Sequence, residues 1–171
     1  MSRSGMPLVI GIGNPVRRDD GVGWRLAMEW GQRHRGRPSA RLLAVQQVLP
    51  ELAATVAQHR RVLFIDAVIC RDHAPDGSAI DTGSVGWAYG PWLLPLEPQP
   101  RLSRATPFSH SLEPVELLSL SAALYGQAPA AQRLLLQGRR LDHGNGYSLA
   151  LRRQLPAARA LLQQWLEAGD A

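Results

Sequence analysis

Two uninterrupted apolar runs constrain this chain more than any other feature: "LVIGI" at Leu8–Ile12, and "RVLFIDAV", whose strand character ends at Asp66. Neither alternates apolar with polar residues, so neither reads as a strand with one face in water. Both demand cover on two sides, the signature of a parallel sheet buried between helices.

The intervening sequence supplies that cover. Val22, Leu26 and Trp30 recur at helical spacing and predict a helix over residues 20–33. Arg41–Val45 reads as a second strand, and "LPELAATVAQH" as a helix with Pro near its first turn. A short strand is expected at residues 78–82, a helix with a wide apolar face at 112–125, and a further strand at 133–137. Leu155, Ala158, Leu162 and Trp165 predict a closing amphipathic helix over 155–167. Alternating strands and helices imply right-handed crossovers. The expected fold is therefore α/β and three-layered: a largely parallel twisted sheet of about five strands with helices on both faces. The 171 residues fit one domain, 1–171, and show no repeat or dividing linker.

Residues 83–109 stand apart, with five prolines, Trp87, Tyr89 and Trp92 and no helical or strand period. A loop of that length serves as a lid or binding surface, or else plugs the sheet edge.

Composition narrows the class. No apolar run approaches the ~18 residues of a membrane span, and "MSRSGMP" lacks the charged and apolar regions of a signal peptide. The single cysteine, Cys70, excludes an internal disulfide and a cysteine-built metal site. A cytoplasmic protein is expected. The net charge of +5 comes from arginine alone, in pairs spread along the chain, such as Arg17-Arg18 and Arg139-Arg140. Such a surface could attract nucleic acid; dispersed as it is, it reads more simply as a solvated arginine-rich face.

The first loop, "GIGNPVRRDDGVG", resembles a dinucleotide turn and then departs from it. Gly11 and Gly13 match the fingerprint, but Val16 occupies the third glycine position. Asp19 and Asp20 then place carboxylate at the helix N-terminus, where a pyrophosphate would have to bind. Spacing and charge both exclude the dinucleotide reading.

In an open parallel sheet, ligands bind beyond the carboxyl ends of the strands. Asp20 follows the first strand and Asp66 ends the third, so the two can converge at one rim. His110, just before the helix expected at 112–125, is available as a third donor. Two carboxylates and an imidazole suit a borderline divalent ion such as nickel or zinc, with coordination positions left open. The alternatives are a helix-capping Asp and a structural His. Cys70, near the same rim, is a nucleophile or a packed small residue. Ser109 and Ser111 flank His110, but adjacency in sequence does not make a triad. His34, His59, His73 and His143 belong to no motif.

"GIGNPVRRDDGVG", "VLFIDAV" and "FSHSLEPVELLSLSAALYG" together resemble the hydrogenase maturation proteases, in order over residues 8–156. "GRRLDHGNGYS" is similar to that family's Gly-rich segment before the last helix. The resemblance implies an endopeptidase that trims the C-terminal extension of a nickel–iron hydrogenase large-subunit precursor after nickel insertion. It implies that Asp20, Asp66 and His110 are both the catalytic and the nickel-contacting residues. Nickel is then supplied by the client, with another divalent cation able to replace it in the isolated protein. The partner implied is the precursor, with no nucleic acid and no membrane, and the enzyme is expected to be a monomer. Asp19 aligns with a neighbouring acidic position and is read as a helix cap or a support for the site. Some relatives carry Glu at the position of Asp20, and a Gly-rich segment where this chain has "QQVLPEL". Two other functions are open. A non-catalytic nickel-sensing maturation chaperone would need the same triad. Peptidyl-tRNA hydrolase also opens on "GxGNP", but continues with a Tyr and a His-Asn pair that are missing here.

Overall fold

A computed structural model describes residues 5–36, 39–69, 90–99 and 112–169. In chain order these form β1 (Leu8–Ile12), a 3-10 turn (Arg18–Gly21), α1 (Val22–Arg33), β2 (Arg41–Val45), α2 (Leu52–Ala57) and β3 (Arg61–Val68). Then follow β4 (Trp92–Leu96), α3 (Pro114–Tyr125), β5 (Ala130–Gln137) and α4 (Leu149–Glu167). The strands make one five-stranded sheet in the order β2-β1-β3-β5-β4. β2, β1, β3 and β5 are parallel, and β4 runs antiparallel to β5. The expected largely parallel sheet with helices on both faces is therefore what forms.

The strand pleat divides the core in two. Leu8 and Ile10 of β1 and Val62 and Phe64 of β3 join Ala53 and Val56 of α2 and Leu117 and Leu118 of α3 on one face. Val9, Leu63, Ile65, Leu134 and Leu136 join Val22 and Leu26 of α1 and Leu151, Ala158, Leu162 and Trp165 of α4 on the other. Neighbouring residues of one strand feed opposite cores, which is why "LVI" and "VLFI" carry no polar residue. Each such side chain taken out of water contributes about 1.5–3 kcal/mol.

Three expectations need correction. A strand, β4, lies within the segment that shows no strand period. It is an edge strand, and Pro95 opposite Gln132 is tolerated there because an edge can do without one N–H donor. α4 begins at Leu149 rather than 155: the Ser148 hydroxyl accepts from Leu151 N at 3.2 Å, and Pro156 lies inside the helix rather than at its start. β3 continues past Asp66 to Val68, so Asp66 lies within the strand, opposite Leu135. The strand expected at 78–82 lies outside the described residues. Among the described residues no helix is long and apolar enough to cross a membrane.

Candidate functional site

The sheet order creates the site. From β1 the chain crosses to β2 on one side, and from β2 it returns to β3 on the other, so the crossovers diverge between β1 and β3. A crevice opens where crossovers diverge. Here it is a cleft of about 210 Å³ whose lining includes Gly13, Asp20, Gln47, Asp66, Leu112 and Glu113.

The first loop delivers Asp20 through a tight turn. Gly13 has φ 129°, a backbone conformation that side chains avoid, and a Cβ there would collide with the Asp20 carbonyl oxygen. The Gly13 N–H donates to Val45 O at 3.0 Å, tying the loop to the end of β2. The Asn14 N–H donates to Asp20 Oδ2 at 3.0 Å, so the turn holds the carboxylate it presents. The glycines of "GIG" thus serve close backbone approach, as in a phosphate cradle, but the turn is filled by the chain's own acid.

Asp66 reaches the cleft from β3, with Oδ1 accepting from Ala67 N at 2.7 Å. Burial pushes its carboxyl up to about 7. The Ala67 hydrogen bond and the Arg133 charge oppose that rise, while the negative charges of Asp20 and Glu113 add to it. Asp66 is consequently a carboxyl group short of positive partners.

Glu113 is the functional-site residue that the sequence reading did not single out. It is the N-cap of α3: its backbone carbonyl accepts from the Glu116 N–H at 2.9 Å, and its own N–H donates to Glu116 Oε2 at 2.8 Å. The signal was present in "EPVE", a capping box with Pro at the first helical position. It marks the helix start, and in this fold that start borders the cleft.

The neighbouring Asp19 has a different fate. It is fully buried. Its Oδ2 accepts from Arg139 N at 2.8 Å and Arg140 N at 2.9 Å, and its Oδ1 from Ser148 N at 2.7 Å. Burial alone would raise its pKa, but the hydrogen bonds from Arg139, Ser148 and Arg140 outweigh it and hold the carboxyl below its ordinary value. Asp19 caps no helix through its side chain; it fastens the first loop to the segment "GRRLDHGNGYS".

Of the three residues expected to form the site, Asp20 and Asp66 share the cleft. His110 lies outside the described residues, as do Cys70, His73, Ser109 and Ser111. Among the described residues no three His, Cys, Asp or Glu side chains are placed to hold a metal ion. The described donor set, two carboxylates with Glu113 beside them, fits a hard or borderline cation as part of a shell that other donors complete. His59 is buried with Nδ1 2.8 Å from Thr55 O, and His34 stacks on Trp30, so both serve packing. His143 is exposed on residues 138–148 and does not line the cleft.

A larger groove, of about 600 Å³, runs between α1 and α4 past Trp30, His34 and Pro156. Its charges satisfy one another. Arg159 holds both oxygens of Glu29 at 3.1 Å, and Arg33 reaches the same carboxylate at 2.6 Å. The acidic cleft, smaller but unneutralised, is the better candidate for chemistry.

The structure is similar to the hydrogenase maturating endopeptidase HybD from E. coli, with a TM-score of 0.63 and 17% identity over 95% of this chain and 93% of that one. It is similar to the NiFe hydrogenase maturation protease HybD from Thermococcus kodakarensis, TM-score 0.63 and 16% identity, over 94% and 99% of the two chains. A third neighbour is the maturation protease HycI from Thermococcus kodakarensis KOD1, TM-score 0.61 and 17% identity, over 95% and 93%. No family model and no curated protein matches the chain. The likeness establishes the fold, which is that of the hydrogenase maturation proteases across nearly the whole chain.

Proposed function

We propose that this chain is an endopeptidase of hydrogenase maturation, which removes the C-terminal extension of a nickel–iron hydrogenase large-subunit precursor once nickel is in place. The observation that carries the reading is the pairing of Asp20 with Asp66 in one cleft at the carboxyl ends of the strands. The fold shared with maturation endopeptidases supports it.

Nickel enters as part of the substrate. The precursor presents it, and Asp20, Asp66 and His110 supply oxygen and nitrogen donors to the positions the precursor leaves open. A cation in the cleft relieves the repulsion between Asp20, Asp66 and Glu113 and displaces the proton that Asp66 retains near neutral pH. A precursor without nickel brings no such compensation and docks poorly, so cleavage waits for the metal. Peptide hydrolysis also needs a base for the attacking water, and a carboxyl titrating near 7 is suited to that task. As ligand or as base, Asp66 must first lose its proton.

Processing is tested by mass analysis of a nickel-loaded precursor before and after incubation, looking for loss of a C-terminal peptide. Asp20→Ala, Asp66→Asn and His110→Ala should each abolish it; normal processing by all three would refute the site. Nickel-dependent binding of the precursor without any peptide release would instead identify a non-catalytic chaperone. The cluster of carboxylates lining the cleft is poorly suited to a nucleic-acid backbone, which argues against a tRNA substrate.

A further inference from the structure

The first loop carries a strained residue immediately before its two acids. Arg18 has φ 32°, in the left-handed region that side chains disfavour. Such strain persists only where the surroundings over-determine it, and it concentrates at functional sites. The surroundings here are residues 138–148. Arg18 N donates to Gly144 O at 3.2 Å, and Gly144 N returns a bond to Val16 O at 3.0 Å. The Arg18 side chain reaches Asp142 Oδ2 at 2.8 Å and Asn145 O at 3.1 Å. Asp19 then takes the three N–H groups of Arg139, Arg140 and Ser148, and its own N–H donates to Arg140 O at 3.0 Å. Within the same 3-10 turn, the next residue is Asp20.

We propose that Asp19 is a positioning residue for the cleft: by clamping residues 138–148, its carboxylate fixes the turn that aims Asp20 at Asp66. Residues 138–148 thereby belong to the working site, although none of them lines the cleft. The reason lies in the arrangement of donors. Three backbone N–H groups donate to the Asp19 carboxylate, and the Ser148 side chain adds a further bond, so both oxygens must accept. An amide at this position offers one oxygen and one NH2, and the NH2 must face a donor. The turn would then rotate to escape that contact, and Asp20 is covalently part of it. The catalytic consequence rests on the proposed function; the geometric consequence does not.

The test compares Asp19→Asn with the wild-type chain by amide hydrogen exchange and, separately, by processing kinetics. The Asn14 N–H, which donates to Asp20 Oδ2, reports the aim of Asp20. The Gly13 N–H, bonded to Val45 O, is an internal control for the rest of the loop. Asp19→Asn should expose the Asn14 amide to exchange about tenfold faster while Gly13 changes little. With nickel-loaded precursor, kcat/KM should fall about 10²-fold, because a misplaced Asp20 serves both docking and the reaction less well. A folding defect is separated by a second pair, Ser148→Pro and Ser148→Gly. Both remove the hydroxyl, which caps α4 and also bonds the Asp19 carboxylate, but only Pro removes the N–H given to Asp19. Ser148 has φ −58°, which a proline ring accepts. Pro should speed Asn14 exchange more than Gly does. Unchanged Asn14 exchange in both Asp19→Asn and Ser148→Pro overturns the proposal. The exchange experiment uses no client, so its result does not depend on whether the chain cleaves one.

Discussion

Asp19 and Asp66 are both carboxyl groups withdrawn from water, and they titrate in opposite directions. Asp19 receives three backbone N–H groups and is held below its ordinary pKa. Asp66 receives one and faces the negative charges of Asp20 and Glu113, and it is pushed up to about 7. The same functional group therefore does structural work where its charge is fully compensated by the fold, and is available for chemistry where it is not. The cleft is distinguished from the anchor by what the protein withholds from it.

The largest effect that can break this contrast is on activity. Asp66→Asn keeps the shape of the side chain but removes its charge, and should lower kcat for precursor processing by about 10³-fold, the range for loss of a positioned acid–base or ligand group. If Asp66→Asn processes at near wild-type rate, the uncompensated carboxyl has no role.

Next is stability at the anchor. Asp19→Ala leaves three part-buried backbone N–H groups without their acceptor, at up to about 1–3 kcal/mol each and not fully additive, so denaturant melts should show a loss on the order of 3 kcal/mol. The pH dependence sharpens it. Because its pKa is lowered on folding, Asp19 contributes stability present above the unfolded value of about 4 and lost as pH falls through the folded value. The difference between wild type and Asp19→Ala should therefore shrink in acid.

Asp66 should show the reverse sign. Its folded pKa of about 7 lies above the unfolded value, so the wild-type chain loses stability as pH rises from about 4 to about 7. Asp66→Asn should be the more stable protein at pH about 8, on the order of 4 kcal/mol, with the gap closing towards pH about 4. Paired melts of the two proteins across that range measure the sign directly.

The smallest expected effect is at Glu113. Glu113→Gln keeps an acceptor at the N-cap of α3 but removes one of the charges acting on Asp66. Its carboxyl titration, followed by NMR, should move down by less than about one pH unit. An Asp66 titration that does not move would show that the Glu113 charge does not act on it.

Much of this was legible in the sequence, for physical reasons that also explain what was not. β1, β2 and β3 were visible because strands packed on both faces need unbroken apolar runs. The convergence of Asp20 and Asp66 followed from one lying in the turn after β1 and the other near the carboxyl end of β3. β4 was hidden because an edge strand tolerates proline, and the start of α4 was hidden because Pro156 looks like a helix beginning. The anchor at Asp19 left no signature, since its partners are backbone N–H groups common to almost any sequence. Glu113 was marked by its capping box, but only the sheet order shows that the start of α3 borders the cleft.

The most direct measurement is mass analysis of the same hydrogenase large-subunit precursor, with and without nickel, after incubation with the wild-type chain. The C-terminal peptide should be lost from the nickel-loaded precursor alone. Equal cleavage of the metal-free form, or a loaded precursor left at full length, would contradict the proposed function.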